Sequence, residues 1–141
     1  MKPEKNFKII GTTADVAVIA YGESLLKLFA HAAEALVFVF ADPCQIEKTE
    51  KRVIKLPGTD FENLMVKWLS EILYLFEVKG FLGKEFNITS LDKNYLRAEI
   101  KGETYKRKKH LLKTEIKAVT YHQLVLKQQK GKWKAKIIFD L

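Results

Sequence analysis

From Glu115 to its end the chain runs EIKAVTYHQLVLKQQKGKWKAKIIFDL. Apolar and polar residues alternate on both sides of QQKG, and side chains along a β-strand point to alternate faces. The stretch therefore predicts two strands, Glu115–Leu126 and Lys132–Phe139, joined by a turn about Gln128 to Gly131. Ile116, Ala118, Thr120, His122 and Leu124 share one face of the first strand. Trp133, Ala135, Ile137 and Phe139 share one face of the second. If both sets face a core, paired residue numbers must sum to an odd number, because a slip of one residue turns a whole set outward. Every such register puts Lys117, Val119 and Tyr121 on the face that carries Asp140. With a tight turn, Lys117 falls across from Asp140 to within a residue pair or two, beside the terminal carboxylate of Leu141. A lysine, an aspartate and the chain's end are thus expected in one place.

Upstream, the pattern predicts strand, strand, helix, strand, helix and a further strand pair. Asn6–Ile10 and Val16–Tyr21 are short strands. Ser24 to Phe40 is a helix with Leu25, Phe29, Ala32, Leu36 and Val39 on its buried stripe, ended by Asp42-Pro43. Glu50–Pro57 is a strand. Thr59-Asp60-Phe61-Glu62 fits a capping box with Thr59 as N-cap, opening a helix to about Phe76 with Leu64, Trp68, Leu69, Ile72 and Phe76 buried. Phe81–Thr89 and Tyr95–Gly102 pair about Asp92 to Asn94, and Lys106–Lys113 is a basic connection. The fold class is α+β: two amphipathic helices packed on antiparallel β-sheet. A length of 141 residues favours a single domain spanning 1–141.

Several chemistries are excluded by motif. The chain has no phosphate-loop, GxGxxG, HExxH or CxxC pattern, and a lone Cys44 rules out an intrachain disulfide or a thiolate zinc site within one chain. The single cysteine fits a reducing, cytoplasmic setting. MKPEKNFKII has no apolar run of signal-peptide length, and Ala32–Ala41 is too short to span a bilayer, so no membrane partner is expected. Net charge is +8, carried almost wholly by lysine, with Arg52, Arg97 and Arg107 the only arginines. That balance favours polyanions or an acidic partner, although lysine-rich surfaces also serve solubility and ion-pair networks.

The densest cationic run, Lys106, Arg107, Lys108, Lys109 and His110, reads either as a solvated loop or as a contact for RNA phosphates or an acidic partner. His31 and His122 lie on apolar faces, where histidine is more often structural. Asp15 opens a strand, Asp42 closes a helix and Asp140 is penultimate. Each taken singly suits a turn or helix end, and spacing alone does not bring Asp15 and Asp42 to Asp140.

Three stretches together resemble the archease family. TADV at Thr13–Val16 with Tyr21-Gly22 is similar to the family's HTADVG…YG signature, EIKAVTYH at Glu115–His122 matches its most specific strand, and IIFDL at Ile137–Leu141 matches its ending. FADP near Asp42 and KWLSEILYLFE at Lys67–Glu77 fit as well. The resemblance implies an accessory protein that activates RtcB-type RNA ligases in tRNA splicing and RNA repair, promoting guanylylation of the ligase histidine and repeated turnover. It also implies tRNA or a tRNA methyltransferase as further partners. Carried over by position, it assigns a divalent metal, Ca²⁺ or Mg²⁺, to Asp15, Asp42, Asp140 and the carboxylate of Leu141, and a functional role to Lys117. Oxygen donors alone suit such hard cations. Two departures stand out: Gly11-Thr12 replaces the family's Asp-His, and Lys106–Lys109 replaces a stretch that often holds Asp-Pro. A stand-alone basic RNA-binding module and a metal-dependent hydrolase are the competing readings.

Overall fold

The computed structural model describes residues 6–11 and 14–141. The expectations on the N-terminal five residues, on Thr12 and on Thr13 lie outside the described residues. Seven strands and two helices follow in the order β1 (Phe7–Gly11), β2 (Asp15–Gly22), α1 (Leu25–Phe40), β3 (Glu50–Pro57), α2 (Phe61–Glu77), β4 (Phe81–Asp92), β5 (Tyr95–Thr104), β6 (Ala118–Gln129) and β7 (Lys132–Asp140). A short 3₁₀ turn, Pro43–Gln45, follows α1. The strands form two antiparallel sheets, β1-β2-β7-β6 and β3-β5-β4, so the fold is α+β as expected.

Helix α1 buries more than its expected stripe. Ala30, Ala33, Ala35 and Val37 are buried together with Phe29, Ala32, Leu36 and Val39. The reason is that α1 packs on β2 of one sheet and β4 of the other, and a helix covered on two sides must be apolar over most of its circumference. Small alanines let both sheets approach. The Ser24 hydroxyl caps its first turn by accepting the Lys27 N–H at 3.1 Å. Gly22 ends β2 where a Cβ would lie 2.4 Å from the Leu28 backbone nitrogen, so only glycine lets the strand meet the helix there.

Helix α2 lies over β6 and β4. Its Trp68 is fully buried and donates its indole N–H to the Phe29 carbonyl at 2.9 Å, tying the helices together. Burying a side chain of that size contributes about 3 kcal/mol. The N-cap is Asp60 rather than Thr59: the Asp60 carboxylate accepts the Asn63 N–H at 2.7 Å. Asn63 reaches back to accept the Thr59 N–H at 3.1 Å, so a reciprocal cap forms one residue later than the Thr–Glu pattern predicts.

The β6–β7 hairpin turns at Lys130 and Gly131, both with positive φ (53° and 77°), as a two-residue hairpin turn requires. From Val125 to Gln129 the pairing has the expected odd sum, with Leu126 opposite Ala135. Beyond Val125 it changes. Ala118, Val119 and Thr120 pair with Asp140, Phe139 and Ile138, so the four residues 121–124 face Ile137 alone. Gln123 sits in this bulge at φ 52°. Three surplus residues are an odd number, and an odd insertion inverts the alternation. The expectation that Ala118, Thr120 and His122 face the core is therefore wrong, and so is the companion expectation that Val119 shares the face of Asp140. Val119 packs on the core opposite Phe139, while Ala118 and His122 are exposed.

A carboxylate site at the chain terminus

Pairing of β2 with β7 sets Asp15 directly opposite Asp140. Residues opposite one another in an antiparallel pair project from the same face. Both belong to the face opposite the buried Val16, Val18 and Phe139. The Lys117 N–H donates to the Asp140 carbonyl at 2.8 Å, and the Leu141 N–H donates to the Ala14 carbonyl at 3.3 Å. Lys117 therefore stands at Asp140, but one residue beyond the directly opposite position, which Ala118 takes because of the bulge. The backbones of Asp15, Lys117, Asp140 and Leu141 thus meet at one end of the four-stranded sheet, with Ala118 rather than Lys117 on the face of Asp140.

The segment leading into Lys117 is held along the end of α1. Lys113 and Thr114 donate their N–H groups to the carbonyls of Phe40 and Val39 at 2.9 and 3.1 Å, and Ala41 bridges Leu112. The Lys113 ammonium lies 3.8 Å from the centre of the Phe38 ring. Phe38, Val39, Lys113, Thr114 and Leu141 line a groove of about 320 Å³ beside the terminus.

Asp42 is placed differently. Its Oδ1 accepts the Cys44 N–H at 3.0 Å, capping the 3₁₀ turn, and its own N–H donates to the Leu111 carbonyl at 3.0 Å. It opens onto a second groove with Glu34, Phe38 and Cys44. Phe38, under the Lys113 ammonium, lines both grooves. Among the described residues, no three His, Cys, Asp or Glu side chains converge as a metal ion would need. As a cation site, the terminus offers the oxygens of Asp15, Asp140 and Leu141, a hard donor set. Asp42 is not gathered with them.

The basic connection is partly consumed internally. Lys106, Arg107 and Lys108 are exposed, whereas Lys109 is half-buried and His110 buried. Lys109 pairs with Glu47 at 2.7 Å and Glu103 at 2.9 Å, and His110 Nε2 lies 2.9 Å from Glu103. His110 Nδ1 accepts the Lys106 N–H at 2.8 Å, so a neutral ring carries its proton on Nε2 and gives it to Glu103. Burial alone pushes the Glu103 carboxyl up. The Glu47 N–H, Lys109 and His110 more than offset this and hold it at about 2. Sequence reasoning missed Glu103. It sits after the buried Gly102 near the end of β5, where two consecutive buried residues break the strand's alternation, and no local pattern marks that.

The other histidines are accounted for. His31 Nδ1 donates to the Tyr21 carbonyl at 2.6 Å, joining α1 to β2. His122 lies exposed in the bulge. Cys44 is exposed in the turn that Asp42 caps.

Comparison with known proteins adds a second line. The model of the archease protein family (MTH1598/TM1083) matches residues 7–141. The chain is similar to protein archease of Methanosarcina mazei, 37% identical over 141 positions covering 97% of each chain. It is 35% identical to that of Pyrococcus abyssi, covering 92% of this chain and 94% of the relative. Among solved structures, protein 1598 of Methanobacterium thermoautotrophicum superposes with a TM-score of 0.83 at 31% identity, covering 97% of this chain and 99% of that one. The crystal structure of an archease from Thermotoga maritima, described as a possible chaperone, gives 0.67 at 26% identity over 95% and 96%.

Proposed function

The chain belongs to the archease family, and on that footing we propose that it is a non-catalytic activator of an RtcB-type RNA ligase. It promotes guanylylation of the ligase histidine and supports repeated turnover. The observation that carries this reading is the meeting of Asp15, Asp140, Lys117 and the Leu141 terminus at one exposed sheet end. Asp15 comes from near one end of the chain and the others from near its other end, brought together by the pairing of β2 with β7. Two facing carboxylates beside a third repel one another, and Lys117 or a bound cation offsets that charge.

Asp15, Asp140 and the terminal carboxylate would hold a Ca²⁺ or Mg²⁺ ion; when bound it would supply positive charge for a nucleotide's phosphates at the ligase. The lysine and the carboxylates would dock at the ligase's nucleotide site, which supplies the reacting histidine. Less favours the hydrolase reading: His31 and His110, as candidate bases, are engaged in internal hydrogen bonds.

The test is ligase guanylylation with GTP and metal, with and without this protein and its Asp15→Ala, Asp140→Ala and Lys117→Ala variants. Each variant is expected to lose most of the stimulation. Undiminished stimulation by all three sinks the proposal. In parallel, Ca²⁺ or Mg²⁺ should raise the melting temperature of the parent protein and leave that of Asp15→Ala unchanged.

A further inference from the structure

The exposed face of the four-stranded sheet can be read in rows, because its four strands are in known register. At one end stand Asp15, Asp140 and Ala118. The next row is Ile10, Ala17, Ile138 and Thr120. Then come Lys8, Ile19, Lys136 and Val125, followed by Tyr21, Lys134 and Lys127, and last Lys132 with Gln129. The face therefore passes from acidic through aliphatic to predominantly basic, with Lys130 in the turn at its far end and Glu23 beside Tyr21 and Lys132 at its margin.

None of Lys8, Lys127, Lys132, Lys134 and Lys136 forms an ion pair among the described residues; Lys136 reaches only the neutral Gln123 amide, at 3.4 Å. Lys134 and Lys127 are direct cross-strand partners. Like charges in that position destabilise a sheet. A ladder of lysines that forms no ion pair among the described residues works against folding and in favour of an anion.

We propose that this basic end of the sheet binds the backbone of single-stranded RNA, with Tyr21 as a stacking surface. Lys132, Lys134 and Lys136 lie on one strand face at intervals of about 6.8 Å, a repeat of the order of an extended sugar–phosphate chain. Tyr21 stands opposite Lys134, half-buried, and no other aromatic ring packs on it among the described residues. A cationic track with a ring beside it is the arrangement that holds single strands without reading sequence. An acidic protein would use the charge and leave the ring without a role. The proposal does not rest on the carboxylate site, although both share one face and an RNA held on the lysines could extend toward Asp15 and Asp140.

The test is fluorescence anisotropy of a labelled single-stranded oligouridylate with the full chain, in EDTA and without ligase, over a range of salt. The variant Lys132→Ala/Lys134→Ala/Lys136→Ala is expected to lose at least about tenfold in affinity, and its log–log salt slope to shrink by about 2, since each single-strand phosphate contact contributes about 0.7. Tyr21→Leu is expected to lose about fivefold or more with the slope unchanged. Lys134→Glu should weaken binding while melting no lower than the parent, which separates lost contacts from lost fold. Parent-like binding by the triple sheet variant overturns the proposal. So does a loss confined to Lys106→Ala/Arg107→Ala/Lys108→Ala, or tighter binding of an oligoglutamate peptide than of RNA. Intact RNA binding with lost ligase stimulation in the sheet variant would also overturn it, and would leave the activator reading standing.

Discussion

The two sheets carry lysines in opposite company. In the β3-β5-β4 sheet the cations meet carboxylates: Arg52 lies 3.3 Å from Glu50, and Arg97 and Lys51 lie 3.3 and 3.7 Å from Glu99. Glu85 takes Lys48 at 2.9 Å and Lys101 at 3.9 Å, and Lys48 beside it holds its carboxyl below the usual range. Buried Glu103 anchors Lys109 and His110 below the basic connection. The β1-β2-β7-β6 sheet separates its charges instead, with Asp15 and Asp140 at one end and the lysines at the other. The first sheet is a scaffold that pairs most of its cations with carboxylates, although Lys51 faces Lys101 and Lys55 faces Arg97 across its strands. The other leaves its charge for something outside the chain. The net +8 is thus a poor guide by itself, because position decides which lysines are available.

The sharpest way to break this contrast is to remove the internal anchor. Glu103→Gln should cost about 3 kcal/mol in urea unfolding, the lower end of the range for breaking a buried ion pair because Lys109 keeps Glu47. It should also change the acid limb. With its folded carboxyl at about 2 against an ordinary 4.5, Glu103 stabilises fully above the higher value. That stabilisation is lost as pH falls from about 4.5 toward 2, where the unfolded chain takes up the proton first. The variant should lack this segment of the stability–pH profile.

An intermediate effect of opposite sign is expected on the other sheet. Lys134→Glu replaces a like-charge cross-strand pair with an attractive one and should stabilise by about 0.5 kcal/mol in the same assay. A loss of stability would show that the Lys134–Lys127 pair is not under strain, and the contrast between the sheets would fail. The smallest effect belongs to the scaffold's surface pairs. Lys48→Ala should shift stability by about 0.5 kcal/mol or less, since both partners are about half exposed.

Much of this was legible in the chain itself. The order and type of every β-strand and α-helix followed from periodicity and turn residues, and the turn expected about Gln128 to Gly131 falls at Lys130-Gly131; the 3₁₀ turn Pro43–Gln45 was not foreseen. Lys117 does come beside Asp140, as a short hairpin led one to expect, but through a backbone hydrogen bond; strict alternation put it on the face of Asp140, and the bulge gives that place to Ala118. The bulge was not legible: residues 121–124 alternate on paper as well as their neighbours do, and only packing of Val119 against the core opposite Phe139 shows that three are surplus. The N-cap slipped by one because Thr59 and Asp60 are both good caps, and local geometry chose between them.

The sequence by itself determined which residues belong to helix or strand and which face of most of them is apolar, because those signals repeat within a few residues. Tertiary structure alone decided that β2 lies beside β7, so that Asp15 faces Asp140 across more than a hundred residues of chain. It alone sent Asp42 to a different groove, buried Glu103 against His110, and left five lysines of one sheet without an ion pair among the described residues. Pairing between distant strands is set by the sum of many weak packing terms, and no short window of sequence contains that sum.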